Sequence, residues 1–402
     1  MSKNIKDFRS KKNHPIAKLV IGYFIYIATL NSVIAAPNDG KKCESVNAII
    51  SAEFEAGGMS SCSSFVPSIF RVLIEPEDED SIGRSPWYAF KITNKVSTPI
   101  VVELVYKGGE HRFWPKISGD GRTWSRLDGS MVRVVSEQRI QLFLQPQDNP
   151  YYIAAQEIYG NDVHLNWMDN MASRNDISKR EIGSSELGRP IYKIESESGS
   201  NTKEYIFMIG RQHPAEVPGA WAMTSFIETL YADTDLARRF RDRFGIISVP
   251  VVNPDGVALG YWRNSTGGMD LNYTWGPFVH KETLSVKNEL DRFKSGDKLK
   301  LFIDFHSTHG NLFYTQRGPG GQWPSDMTQR WFAGAMPRLR DYLFEHVALT
   351  TDSGHKNSNN YVYHTFNSPT IIFEAGEETE RLTIENAMVV FAEELMRVML
   401  SS

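Results

Sequence analysis

One change of rhythm governs what this chain can fold into. Between about Cys43 and Ile158, short runs rich in Val, Ile, Tyr and Phe alternate with turn residues. The runs include Trp87–Thr93, Pro99–Lys107, Met131–Val135 and Ile140–Leu144, and the turns Gly108-Gly109 and Gly119-Asp120-Gly121. Runs of this length separated by such turns predict a small antiparallel β-sandwich. The polar, mixed-charge stretch Ser173–Glu186 then marks the boundary or its linker. Beyond it, Tyr205–Ile209, Gly245–Val252, Leu299–Phe305 and Thr370–Phe373 read as strands, and Gly219–Tyr231, Glu282–Phe293, Met327–Phe344 and Arg381–Met399 as helices. This alternation predicts an α/β part with a mostly parallel or mixed sheet covered on both faces. In such sheets functional groups gather at the carboxyl ends of strands.

The 402 residues, 41% hydrophobic and 23% charged, suffice for two globular cores. The N-terminus reads as an export signal: Lys3, Lys6, Arg9, Lys11, Lys12 and Lys18 precede the apolar run Leu19–Leu30, and Val33-Ile34-Ala35-Ala36 offers a cleavage site. A membrane anchor is the competing reading, but the run falls short of the roughly 20 residues a spanning helix needs. The expected partition is therefore a signal peptide over 1–35, a β-sandwich over 43–172 and a catalytic part over 173–402, exported to the periplasm or the extracellular space, with no membrane span after cleavage. Residues 1–35 carry six basic side chains and one acid, so removing them takes the formal charge from -4 to about -9. Such a surface excludes a nucleic-acid partner, which demands basic residues. Cys43 and Cys62, close together after the cleavage site, predict one disulfide in an oxidising compartment.

Three polar clusters follow apolar strands directly. In Gly210-Arg211-Gln212-His213-Pro214-Ala215-Glu216, an imidazole and a carboxylate three residues apart on a turn can aim at one ion. Alone, the pair reads more simply as a surface turn whose Glu is favoured by a helix N-terminus. About 90 residues later, Asp304-Phe305-His306-Ser307-Thr308-His309 supplies a second imidazole. His306 completes a His-Glu-His set that leaves one tetrahedral position open, the arrangement of a catalytic zinc site. His309 competes for that role, and an exposed loop histidine is its simpler reading. In the third cluster, Glu374 ends the strand Thr370–Phe373 and precedes small residues, a desolvated position suited to a general base. Glu377, Glu378 and Glu380 read as the acidic first turn of the last helix. Between these clusters lie Asn253-Pro254-Asp255-Gly256 and the loop Tyr261–Asn272. There Arg263 offers a fixed cation to a developing oxyanion, worth on the order of 3 kcal/mol; in isolation it would read as a surface arginine.

Taken together, HPxE, NPDG, an arginine before GGxDLN, a strand-ending DFH and a strand-ending Glu resemble the zinc metallocarboxypeptidase family. The preceding sandwich is similar to the N-terminal domain of its cytosolic-carboxypeptidase branch, which removes glutamates from protein tails in eukaryotes. The resemblance covers most of the chain after the signal and is strongest from Tyr205 to Gly376. It implies a mixed eight-stranded sheet flanked by helices behind an antiparallel β-sandwich, and one Zn2+ per chain held by His213, Glu216 and His306. It further implies Glu374 as base, Arg263 as electrophile, Asn272 as a holder of the substrate's terminal carboxylate, and Tyr361 or Tyr363 as the mobile substrate-site tyrosine. Either tyrosine also fits a strand or core aromatic.

One position departs from that pattern. The family arginine that follows DLN is Tyr273 in this chain. An arginine clamps a carboxylate at two points, whereas a tyrosine offers one hydrogen bond and no charge. Either another arginine takes its place, with Arg211, Arg317 and Arg381 as candidates near the motifs, or the enzyme does not require a free carboxylate. The expected partner is the C-terminus of a peptide or protein, peptidoglycan stem peptides included. An amidase or deacylase on the same scaffold is the second reading, and a binding protein that has lost catalysis the third.

Overall fold

The computed structural model describes residues 40–82, 84–174, 176–196, 204–317, 325–350 and 356–401. The segment read as a signal peptide lies outside them. The short β-rich runs form β1 (Lys42–Glu44), β2 (Ala48–Ser51), β3 (Ser61–Val66), β4 (Ile69–Ile74), β5 (Ala89–Asn94), β6 (Ile100–Tyr106), β7 (Lys116–Ser118), β8 (Ser125–Arg126), β9 (Val132–Ser136), β10 (Arg139–Leu144) and β11 (Tyr151–Ala154). They make two sheets, in the orders β1-β2-β5-β11-β7-β8 and β3-β4-β6-β10-β9. Strand period decides which face is inside: Ile140, Leu142 and Leu144 are buried, and their neighbours Arg139 and Phe143 point out. All pairs are antiparallel except β4 beside β6, which run parallel. Cys43 of β1 and Cys62 of β3 are disulfide-bonded with Cα atoms 5.5 Å apart, so the bridge staples one sheet to the other.

The second rhythm gives α1 (Asn161–Ala172), β12 (Ile177–Ser184), β13 (Pro190–Ser196), β14 (Glu204–Gly210), α2 (Val217–Leu230), α3 (Asp235–Arg243), β15 (Phe244–Val249), α4 (Pro254–Leu259), α5 (Lys281–Leu290), β16 (Lys298–Thr308), β17 (Leu312–Arg317), α6 (Ser325–Ala335), β18 (Glu345–Thr350), α7 (Ser358–Phe366), β19 (Thr370–Gly376) and α8 (Arg381–Leu400). The strands form the expected mixed eight-stranded sheet, ordered β12-β13-β15-β14-β16-β19-β17-β18. Its centre, β15-β14-β16-β19, is parallel. Every residue of β15 is buried, as a strand covered on both faces requires. One face packs on α2, α3, α6 and α8 through Phe226, Phe240, Trp331 and Phe391; the other packs on α5 and α7 through Val286, Leu290 and Val362.

Several sequence expectations change. The polar stretch Ser173–Glu186 contains β12, an edge strand; exposed Arg180 and Glu181 suit an edge, where charge discourages further pairing. The helix expected over Met327–Phe344 stops at Ala335, because Pro337 has no N–H to continue it, and β18 follows a 3-10 turn at Met336–Arg338. Tyr361 and Tyr363 lie on a helix, α7, and not on a strand. Among the described residues no helix is long and apolar enough to cross a membrane.

The sandwich and the α/β part share a core. Ala215, Val217, Ala220 and Trp262 cluster with Phe70, Trp87, Tyr88 and Tyr159. Ion pairs reinforce the seam: Arg112 grips Glu377 at two points (2.8 and 2.6 Å), and Arg126 meets Glu378 at 3.0 Å.

Candidate metal centre and active site

Three adjacent parallel strands, β14, β16 and β19, end together, and each delivers part of the site. The turn after β14 is tight: Arg211 sits at φ 52°, a left-handed conformation that costs a non-glycine residue on the order of 1 kcal/mol. Its guanidinium offsets that cost by donating to the carbonyls of Tyr159 (3.1 Å) and Pro214 (2.7 Å), and burial pulls its pKa down to about 10. Arg211 thus braces the turn that carries His213 and Glu216. Asn253 braces it from the other side. Its Nδ2 donates to the carbonyls of Gln212 (3.2 Å) and Asn264 (3.0 Å), while its Oδ1 caps α4 through the Gly256 amide.

His213, Glu216 and His306 are all buried and converge. His213 Nδ1 lies 2.8 Å from Glu216 Oε1, His306 Nδ1 lies 2.8 Å from Glu216 Oε2, and the two Nδ1 atoms are 3.1 Å apart. The far nitrogens face carboxylates: His213 Nε2 meets Asp270 Oδ1 at 2.9 Å and His306 Nε2 meets Asp304 Oδ2 at 3.0 Å. With a cation held in front of the rings, each would keep its proton on Nε2, toward its aspartate, and give the lone pair of Nδ1 to the ion. Two lone pairs and a carboxylate directed at one point fit a divalent cation, with Asp270 and Asp304 orienting the imidazoles behind it.

Those two aspartates are missing from the sequence reading. Asp304 stands two residues before His306 on one strand, so the pleat sends both side chains to the same face. Asp304 Oδ2 also accepts from Gln212 Nε2 at 2.7 Å and from Ser358 Oγ. The Asp-x-His spacing on a strand was the available signal. Asp270 accepts from the Asn272 amide at 2.8 Å and from Arg263 Nε at 2.5 Å. Burial works against its charge, yet His213 and Arg263 hold its carboxyl well below the usual range.

Glu374 is the register partner of His306, so the two side chains leave neighbouring strands on the same side of the sheet. It is half-buried, and its Oε2 is shut off from solvent with no hydrogen-bond partner among the described residues. Burial pushes this carboxyl up to about 8, against the pull of His306. Arg263 uses Nε on Asp270, which leaves its Nη groups as the part of the fork able to meet an oxyanion. Asn272 lies close by: its Nδ2 is 3.5 Å from His306 Nε2, and its Oδ1 accepts from the Ser358 amide at 3.1 Å. Tyr273 beside it is 50% exposed.

The remaining candidates fall elsewhere. The ring of Tyr361 packs against Phe278 (4.8 Å between centroids) and Trp275 (5.9 Å), within an aromatic cluster. His309 is outside the ligand group, with a side chain 78% exposed. Arg381 is committed to Gln156, Glu157 and the Thr379 carbonyl, and the side chain of Arg317 lies outside the described residues. Glu377 and Glu378 precede α8 rather than forming its first turn, and they serve the seam with the sandwich.

The profile of the family described as zinc carboxypeptidase matches residues 164–395. Cytosolic carboxypeptidase 6 of Caenorhabditis elegans is 21% identical over 337 residues, 76% of this chain and 73% of that one. Its human namesake is 25% identical over 303 residues, covering 66% of this chain and 59%, under two thirds, of the human protein. Among solved structures, a metallo-carboxypeptidase from Burkholderia cenocepacia superposes with a TM-score of 0.73 at 18% identity, covering 88% of this chain and 99% of that one. Its likeness extends over both the sandwich and the α/β part.

Proposed function

Because the chain belongs to the zinc carboxypeptidase family, we propose that it hydrolyses peptide-type amides with one Zn2+ held by His213, Glu216 and His306, releasing residues from the free C-termini of peptides or proteins. The observation that carries this reading is the register of β16 with β19, which sets Glu374, whose Oε2 has no hydrogen-bond partner among the described residues, beside His306 at the edge of the ligand group. A zinc ion bound there supplies a Lewis acid and acidifies water. Glu374 takes the proton of the attacking water and returns it to the leaving amine, a part suited to a half-buried carboxylate beside the ligand group. Arg263 steadies the oxyanion of the tetrahedral intermediate, held in line by Asp270. Asn272 contributes to binding the substrate's terminal carboxylate.

Tyr273 favours a second reading, an amidase or deacylase, because it carries no charge to clamp a carboxylate. As to place, the basic-then-apolar N-terminus and the Cys43–Cys62 bridge support an exported protein, periplasmic or extracellular.

The test is hydrolysis of a peptide library with free and amidated C-termini, with zinc content recorded. Stepwise loss from free ends only, reduced about 10²–10⁴-fold in Glu374→Gln with zinc retained, is expected. Indifference to amidation moves the assignment to an amidase, and cleavage that survives Glu374→Gln removes Glu374 as base.

A further inference from the structure

The sandwich reaches into the active site through one carboxylate. Glu77 follows β4, far from the α/β part in sequence, and accepts three consecutive backbone amides of the loop after α4. Its Oε2 takes Trp262 N at 2.8 Å, and its Oε1 takes Arg263 N at 2.9 Å and Asn264 N at 2.6 Å. Ser81 Oγ donates to the same Oε1 at 2.7 Å and fixes the carboxylate in turn. The adjacent Asp78 accepts the Asn264 side chain with both oxygens, at 2.7 and 2.9 Å. Asn264 leads on to Asn253, and Asn253 to the carbonyl of Gln212, the residue before His213.

The loop needs such an anchor. It starts at Gly260, in the left-handed region, and continues through Gly267 and Gly268, so its own sequence does little to hold one conformation. A group that stabilises charge in a transition state acts only if it is already in place, and displacement by about 1 Å can cost ~10²-fold in rate. Arg263 is pinned at its backbone by Glu77 and at its guanidinium by Asp270.

We propose that Glu77, a residue of the sandwich, is a positioning residue for Arg263, so that the N-terminal sandwich completes the electrophilic half of the active site. This rests on the role given to Arg263 above. Because the oxyanion exists only in the transition state, loss of Glu77 lowers kcat and leaves KM nearly unchanged.

Two measurements on the full zinc-loaded chain test this separately. The first is hydrogen exchange of the 262–264 amides, which needs no substrate. In Glu77→Ala, and to a smaller extent in the milder Glu77→Gln, these amides exchange faster while those of β16 keep their protection. Unchanged exchange at 262–264 overturns the proposal whatever the activity. The second is a kinetic cycle of Glu77→Ala and Arg263→Ala on a free-ended peptide. Glu77→Ala alone is expected to lower kcat about 10- to 100-fold with zinc content intact, and to change it less than about 3-fold once Arg263 is already Ala. Effects that multiply in the double variant mean that Glu77 acts through general stability, and sink the positioning role. Failure of wild-type cleavage would instead overturn the peptidase reading and, with it, the catalytic purpose given to the anchor; the exchange result then decides whether the anchor itself stands.

Discussion

Asp304 stands behind the proposed ligand His306, 3.0 Å from its Nε2, and holds that ring in place. It is fully buried, and the Oδ2 that faces His306 Nε2 also receives Gln212 and Ser358, so the His306 ring is locked by a residue that is itself locked. Carboxylates in this position commonly contribute 10- to 100-fold in metal affinity. Asp304→Asn is therefore expected to weaken zinc binding by about that factor, read by competition with a chromophoric chelator. Affinity equal to wild type would mean that β16 alone fixes the ring. At this scale the sequence marked out the groups whose spacing is local, His213 and Glu216 and the strand-ending His306 and Glu374, which the fold brings together. Asp304 was in plain view but became meaningful only with the pleat. Glu77 left no trace, because nothing in a sequence marks a carboxylate that meets its three amides some 186 residues downstream.

Among the elements, the contact of α2 with β16 is the most exacting. Gly219, in the first turn of α2, lies so close to the strand that a Cβ there would stand 2.6 Å from the carbonyl oxygen of His306, and its amide donates to Ser307 Oγ at 2.7 Å. A backbone carbonyl in a central strand cannot yield as a side chain can. Gly219→Ala should cost about 1–3 kcal/mol in denaturant unfolding and loosen the metal site with it, since the helix follows directly from Glu216. A variant as stable as wild type would show that α2 slides freely. The same sheet explains which strands were legible. β14, β15, β16 and β19 lie in the middle of the sheet, and each carries an apolar stretch, Tyr205–Ile209, Gly245–Ile247, Leu301–Ile303 and Ile371–Phe373, that marks it in the sequence. β12 lies at a solvent edge and is written in polar residues, which is why it looked like a linker.

Over the whole molecule, acid sensitivity has an identifiable source at the seam. His164 of α1 is buried with neither ring nitrogen hydrogen-bonded among the described residues, and its ring lies 4.6 Å from that of Tyr159. Burial, aided by the charge of Arg211, holds its pKa well below the ordinary value. The imidazole is then neutral in the fold, while the unfolded chain gains a proton below about pH 6.5. Its contribution is fully present above that pH and is lost as pH falls further. Urea midpoints measured between pH 5 and 8 should fall on the acid side more steeply for wild type than for His164→Leu, and parallel curves would clear His164 of that role.

The shared core has a consequence in the order of synthesis. The last sandwich strand, β11, ends at Ala154, but the apolar set that closes the sandwich is complete only when Trp262 has been made. At ordinary rates of translation the ribosome needs about 5–20 s to cover that distance. A sandwich folded before then would leave bare the apolar side chains that meet Ala215, Val217, Ala220 and Trp262, so the early part of this chain is the part that needs shelter while the rest is still being written.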